Sequence, residues 1–481
     1  MPQAPNAPHG RSRLQQEFDR RAFLRTLAVG SAGVMVAPPL RVAAASLPKA
    51  KITKVNIYRP ANFNETFNQS NMVVTIETDQ AGLIGVGDGG LRDTLEQCAG
   101  KLIGRNPFDI ERCWQDMYRS WFYSPGHEKV HALGALDTAL WDIKGKALGV
   151  PVYDLMGGMN RDYVECYLGG GGTGTQLREN ARAAMEAGYR GFRVQAPGTG
   201  GAGGGRGRGA GPGGAPAAGR GAPPPQPASP ATPATAGGPA GPPVVPPLPV
   251  ERTLTPGGVI FNQHDSIKRL DQMGKDLREG VGPNGDWLID FHQEYDLADA
   301  IRGCNILEQY EPYLVEDPTR EEFFRTDIPK LRQLTKVPLA AGEEWGQRWD
   351  FNALVEHHDI DYVRCTLPNV GGITEMMKIA AMCETHAVGI IPHFTGPIAT
   401  AALVNCLSTF SGPVLFEYNY GGRPIDYLPE CLDFKNGKAY TNQRPGLGVT
   451  LDMNRLTLIG EVTEPGRKNL YKRPDGSLTH W

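Results

Sequence analysis

Three short apolar runs in the middle of this chain each end in a carboxylate. They are WLIDFH at 287–292, YLVEDP at 313–318 and PLAAGEE at 338–344, and they carry Asp290, Glu316 and Glu343. The three acids recur after 26 and 27 residues, with helical patterns between them. That spacing fits successive strand–helix units of a parallel barrel, whose reactive groups sit at the C-terminal ends of its strands. Neighbouring strands lie about 5 Å apart, so acids on three adjacent strand ends converge on one point. Unshielded they would repel, and a hard divalent cation such as Mg2+ is the natural partner. The plainer alternative is three unrelated acids opening loops, and their common phase argues against it. Glu344 is the alternative to Glu343 as ligand, and strand alternation favours Glu343.

Other reactive side chains fall at similar places. His292 lies two residues past Asp290, so alternation turns both toward the barrel mouth. His393 ends the run VGIIPH at 388–393. Arg193 sits in GFRVQ at 191–195, Arg364 ends IDYVR at 360–364, and Glu417 ends VLFE at 414–417. Arginine is a poor base at neutral pH. Arg364 suits either a substrate carboxylate or a salt bridge inside the barrel.

The elements that must position these groups follow a simple order. Alternating residues at 51–58, 72–77 and 82–87 predict three strands of a meander. A helical pattern at 131–148 stops at Gly149-Val150-Pro151. From 163 a strand–helix rhythm begins and completes eight strands by 417. It is interrupted at 196–258 by a Gly/Pro/Ala-rich stretch that cannot bury a core and is expected to be disordered. The organisation expected is a targeting segment at 1–45, an α+β capping domain at 46–162, a barrel at 163–417 and a tail at 418–481 folding back on the cap.

Composition narrows the classes. The chain has 481 residues and a net charge of −3, which gives no reason to expect a nucleic-acid partner. The eight cysteines form no CxxC and no zinc spacing, and most lie in apolar runs. Residues 19–25, DRRAFLR, match a twin-arginine pattern. An apolar run follows, and Ala43-Ala44-Ala45 offers a cleavage site. The run is short and broken by prolines, a poor membrane anchor. The expectation is export through the twin-arginine machinery, with a mature periplasmic protein starting near Ser46.

Taken together, the motifs resemble the enolase superfamily, in its mandelate racemase/muconate lactonizing branch and nearest its sugar-acid dehydratases. They are TALWDIKGKALGVPVYDLMGG, LIDFH, LVEDP, PLAAGEEW, NVGGITE, IIPHFTGPIA and PGLGV. The similarity covers about 50–195 and 260–481. LAAGE and PHxxGPIA resemble galactonate dehydratases; FRVQ and YVR resemble mannonate dehydratases. The resemblance implies an α/β fold: a modified TIM barrel, (β/α)7β, under an N-terminal α+β cap completed by the C-terminal tail. It implies Mg2+ held by Asp290, Glu316 and Glu343, a small-molecule sugar-acid substrate, and an even-numbered homo-oligomer. His292 matches the general acid for the leaving β-hydroxyl, His393 the histidine base, and Glu417 a group bonding the substrate carboxylate or enediolate. Dehydratases with this base pair it with an aspartate at the end of strand six, where this chain has Thr366. Those with the strand-two arginine pair it with a tyrosine in the next loop, and 196–258 contain no tyrosine. Arg193 thus falls to substrate binding. The loop at 62–72 is expected to close the site and set specificity. The activity expected is an aldonate-type dehydratase. The alternatives are a racemase, epimerase or other lyase on the same scaffold, or a binder with a decayed site.

Overall fold

The computed structural model describes residues 47–61, 72–198, 261–418, 425–467 and 471–479. The twin-arginine leader, nearly all of the loop at 62–72 and the insertion beyond Gly198 lie outside the described residues.

The alternating N-terminal runs form an antiparallel meander of β1 (Ile52–Pro60), β2 (Val73–Thr78) and β3 (Ile84–Asp88). Helices α1 (Arg92–Ala99), α2 (Ile110–Arg119) and α3 (His127–Leu148) pack on it around one apolar core. The short α4 (Val152–Leu155) follows. α3 stops at Gly149, whose left-handed φ of 71° lets Val150 N–H reach back to Gly145 O. Unlike a surface helix, α3 is buried nearly all round. The reason is its place between two layers, the meander on one side and the barrel on the other.

The barrel strands are β4 (Val164–Gly169), β5 (Gly191–Gln195), β6 (Asp286–Asp290), β7 (Leu314–Glu316), β8 (Leu339–Ala341), β9 (Tyr362–Val363), β10 (Gly389–Ile390) and β11 (Phe416–Glu417). Each pairs in parallel with the next from β4 to β10. A parallel bridge from Ile390 to Val414 and the pairing of β11 with β4 close the ring. The helices between them are α5 (Gly174–Glu186), α6 (Gln263–Val281), α7 (Leu297–Leu307), α8 (Phe324–Leu334), α9 (Arg348–Glu356), the short α10 (Leu367–Val370), α11 (Ile373–Thr385) and α12 (Pro397–Thr409). The inside of the ring is filled by Tyr167, Leu288, Leu314, Ala340, Ile391 and Leu415. Four of these stand two residues before Asp290, Glu316, His393 and Glu417. Period-two alternation therefore lays an apolar floor under a polar mouth.

The tail, expected to fold back on the cap, reaches both layers. The hairpin of β12 (Asp433–Lys435) and β13 (Lys438–Tyr440) pairs with β4 of the barrel. β14 (Leu456–Val462) then runs antiparallel to β1 and completes the cap sheet. All eight cysteines are free and seven are buried. The chain leaves β5 through Ala196, whose N–H donates to Asp290 O at 2.8 Å. It is described again from Phe261, beside Gly198: a Cβ on that glycine would lie 3.6 Å from the phenylalanine ring.

Three buried aspartates tie the cap to its surroundings, two to barrel helices and one to the tail. Asp88 accepts from Ile398 N (2.8 Å) and Ala399 N (2.7 Å). Asp137 accepts from Thr374 N (2.9 Å) and Thr374 Oγ1 (2.6 Å). Asp142 bonds Val86 N and Leu447 N. Burial pushes Asp88 and Asp137 up to about 7, against the pull of those hydrogen bonds. Between them the two layers touch backbone to backbone. A Cβ on Gly134 would collide with the Pro368 carbonyl and lie 2.8 Å from Gly372 N. Backbone cannot swing aside as a side chain can. Gly134→Ala should therefore destabilise the protein by about 1–3 kcal/mol in a denaturant titration, although alanine is the better helix former. Unchanged or raised stability would show that the seam is loose.

Candidate active site

Asp290 and Glu316 close β6 and β7 and are direct partners in the parallel ladder. With Asp317 they bring carboxylate oxygens within 4.8 Å of one another, all three residues buried. Glu343 joins them by a different route. The inward residue of β8 is Ala340, so alternation would point residues 342 and 344 inward. Gly342 has φ 115° and breaks that phase. Glu343 is thereby turned inward, 7 % exposed, and Glu344 is exposed. The glutamate expected from alternation is the inward one, for a different physical reason.

Two arginines run through this cluster. The Arg193 guanidinium bridges Asp290 Oδ2 (2.5 Å) and Glu316 Oε1 (2.7 Å). Arg364 is fully buried. Its Nη2 meets Glu316 Oε1 at 2.6 Å, Glu417 Oε2 at 3.0 Å and Glu343 Oε2 at 3.5 Å. Its Nη1 donates to the Tyr167 hydroxyl at 2.9 Å and approaches two backbone carbonyls. Arg364, weighed above between a substrate carboxylate and a salt bridge inside the barrel, makes internal ion pairs with the acids. Arg193 is likewise engaged by acids, with part of its side chain, 13 %, exposed.

The charge balance decides what the mouth can hold. Burial raises Glu316 to about 7, although Arg193 and Arg364 pull it down. Burial, then the neighbouring Glu343 and Glu316, drive Asp317 far above the usual carboxylate range. Burial raises Asp290 too, opposed by Arg193. For Glu343 and Glu417 the upward push of burial is overcome by their neighbours, His393 and Arg364 first for Glu343 and Arg364 and Arg193 first for Glu417, so both lie below the usual carboxylate range. Asp317 Oδ1 accepts from Gly342 N, but its buried Oδ2 has no hydrogen-bond partner. Acids this close, with an orphaned oxygen and only two guanidinium groups, fit a hard divalent cation with oxygen ligands.

His393 faces Glu343, with Nε2 3.5 Å from Oε2. Its Nδ1 lies 2.7 Å from Phe394 O. A carbonyl only accepts, so Nδ1 carries the proton in the neutral ring, leaving the Nε2 lone pair aimed at the site. The aspartate partner missing at Thr366 is thus replaced by a backbone carbonyl. Thr366 Oγ1 donates to Glu343 O at 2.9 Å, and Asn369 Nδ2 to the same oxygen at 3.1 Å. His292 arrives differently from its expectation. β6 ends at Asp290, and His292 and Gln293 have φ of 51° and 60°. A turn, rather than strand alternation, presents the exposed imidazole, and His292 N–H is anchored on Asp290 Oδ1 at 2.6 Å. The ring acts electrostatically on Asp290, Glu343 and Glu344. Glu417 Oε2 accepts from both Arg364 and Phe394 N.

The sequence reading missed Asp317, Tyr167 and Asp88. Asp317 stands beside Glu316 in LVEDP, and its inward place depends on a φ of 40° that spacing does not reveal. Tyr167 lies on the first barrel strand, where alternation with the mouth would have found it. Asp88 ends β3 in GDGG, a carboxylate followed by two turn-forming glycines.

The N-terminal domain model of mandelate racemase / muconate lactonizing enzyme matches residues 47–157, and the enolase C-terminal domain-like model matches 263–455. The chain belongs to the mandelate racemase/muconate lactonizing enzyme family. A D-galactonate dehydratase of Pectobacterium atrosepticum is 29 % identical, over 90 % of this chain and 100 % of its own. A D-galactonate dehydratase family member of Salmonella virchow is 31 % identical, over 79 % and 88 %. Among solved structures, an enolase from Pantoea ananatis with bound D-gluconate and Mg superposes with TM-score 0.67 at 28 % identity, over 84 % of this chain and 94 % of that one. A member of the enolase superfamily from Salmonella Typhimurium, 23 % identical, shares the fold with TM-score 0.67 over 86 % and 100 %. Within the enolase superfamily the chain groups with sugar-acid dehydratases, and as an enzyme it is a hydro-lyase.

Arg364 is the test of the internal architecture. Arg364→Met would leave Glu316 and Glu417 buried without their shared partner. It should cost about 3–5 kcal/mol in urea unfolding. A stability within error of wild type would mean that the acids are neutral or solvated without it.

Proposed function

We propose that this enzyme is a Mg2+-dependent aldonate dehydratase, converting a sugar acid to its 2-keto-3-deoxy acid. The observation that carries the reading is His393, whose Nε2 faces Glu343 of the acid cluster at 3.5 Å while its Nδ1 is held on Phe394 O. The galactonate dehydratases and the gluconate-bound enolase among its relatives support the substrate class.

Asp290, Glu316 and Glu343 would hold the metal, with Asp317 beside them. Mg2+ bound there supplies positive charge next to the substrate carboxylate and so acidifies the neighbouring C–H. His393 Nε2 takes the proton from the carbon α to that carboxylate. His292, exposed at the rim, gives a proton to the β-hydroxyl as its C–O bond breaks and water leaves. The enol that remains tautomerises, gaining a proton at the β carbon and losing its hydroxyl proton, and becomes the 2-keto acid. Arg193 is no base: two carboxylates keep it charged, and its exposed edge is left to bind substrate oxygens. Glu417, ionised beside Arg364, accepts hydrogen bonds from substrate hydroxyl groups. The basic leader and apolar run support export through the twin-arginine pathway and action in the periplasm.

Two measurements test this. The chain from Ser46 onward, incubated with Mg2+ and a panel of aldonic and aldaric acids, should give a 2-keto-3-deoxy product detectable with semicarbazide. His393→Asn should then lower turnover by about 10²–10⁴-fold, and a variant at wild-type rate removes it as the base. In Mg2+ calorimetry, Glu316→Gln and Glu343→Gln should abolish binding, and Asp317→Asn should retain it in weakened form. The opposite pattern for the last two gives the third ligand place to Asp317.

A further inference from the structure

We propose that Asp88 of the cap is a positioning residue for His393, acting through the first turn of α12. The proposal rests on the reading of His393 as the base.

The segment from His393 to Thr400 is held from both layers, and Cys431 Sγ also donates to Pro397 O at 3.3 Å. On the barrel side, Phe394 N–H donates to Glu417 Oε2 at 3.2 Å. On the cap side, Ile398 and Ala399 N–H donate to Asp88 at 2.8 and 2.7 Å. Between Phe394 and Ile398 lie Thr395, Gly396 and Pro397. Thr400 N–H bonds Gly396 O at 2.8 Å, and Thr400 Oγ1 bonds Thr395 O at 3.3 Å. The carbonyl that orients the imidazole, Phe394 O, falls inside this short span.

The sequence explains why a distant acid does this work. The first N–H groups of a helix have no partner within it, and Ser, Thr, Asp or Asn at the preceding position usually supplies one. Here that position is Gly396, which has no side chain and gives no cap. Asp88, 310 residues before Ile398, takes its place. It is fully buried, and its carboxylate meets the positive end of the α12 dipole. Pro397 at the first helical position cannot donate and fixes its own φ, so the turn reaches Asp88 in one conformation. Asp137 ties the first turn of α11 in the same way, but no histidine of the site precedes that helix. It is a matched control.

The experiment compares Asp88→Asn, Asp88→Ala and Asp137→Asn in the full chain. Asparagine keeps one acceptor oxygen, so Asp88→Asn remains folded if alanine does not. Three quantities are read at one pH: kcat and KM with the substrate found above, amide exchange over 394–400, and the ring 15N shifts of His393, assigned by their loss in His393→Asn. The expected result for Asp88→Asn is a fall in kcat of up to about a hundredfold with KM within twofold. Exchange becomes faster and the ring shifts are displaced, while Asp137→Asn leaves all three at wild type. A folded Asp88→Asn with wild-type kcat and unmoved His393 shifts overturns the proposal, as does an equal loss in Asp137→Asn. If no sugar acid is dehydrated, the dehydratase reading fails by itself. The ring shifts and the exchange still decide whether Asp88 positions His393.

Discussion

Four buried carboxylates share two guanidinium groups at one end of this barrel, with a fifth, Asp317, beside them. Asp290, Glu316, Glu343 and Glu417 surround Arg193 and Arg364. Much of the remaining architecture follows from keeping that arrangement standing. Like charges taken out of water cost several kcal/mol each unless paired in good geometry, so their backbone supports cannot be soft. The acids stand on or just past strand ends, above a floor of Leu288, Leu314, Ile391 and Leu415. Arg364 lies among them with no exposed surface and ties β7, β9 and β11 together. The deficit of positive charge that remains is what makes the mouth a cation site.

The second requirement is a dry roof. The cap meets the barrel along backbone contacts at Gly134 and through aspartates that satisfy helix starts from the other layer. Trp114 Nε1 on Gly371 O and Trp141 Nε1 on Thr374 Oγ1 add two directed bonds across the same seam. Tyr118 carries the contact to the mouth, donating to Gln347 Oε1 just past the Glu343 loop. The cap is thus fixed in register with the loops that bear the reactive groups.

Much of this was legible in the sequence because barrels write their geometry with a period of two. Asp290, Glu316, His393 and Glu417 each follow an inward apolar residue by two positions, and the pattern can be read directly. What it hides is every place where the chain leaves the strand. His292 is presented by two left-handed residues, Glu343 by a glycine that shifts the phase, and Asp317 by a turn. Spacing placed the first two at the site for a reason that the backbone does not use, and it passed over the third. Arg364 was ambiguous because a buried ion pair and a ligand contact demand the same side chain. The divided tail escaped for another reason: the pairing of β13 with β4 is non-local and leaves no periodic trace in so short a strand.

The chain leaves the barrel at Gly198 and is back beside it at Phe261. A Cβ on Gly198 would stand 3.6 Å from the Phe261 ring, so the two ends of the connection lie side by side. The entropic cost of closing a loop grows only slowly with its length, about 0.6 kcal/mol for each doubling. A change in the number of residues joined at this point therefore costs the fold little, and the register of β5 against β6 is set by their own ladder rather than by the connection.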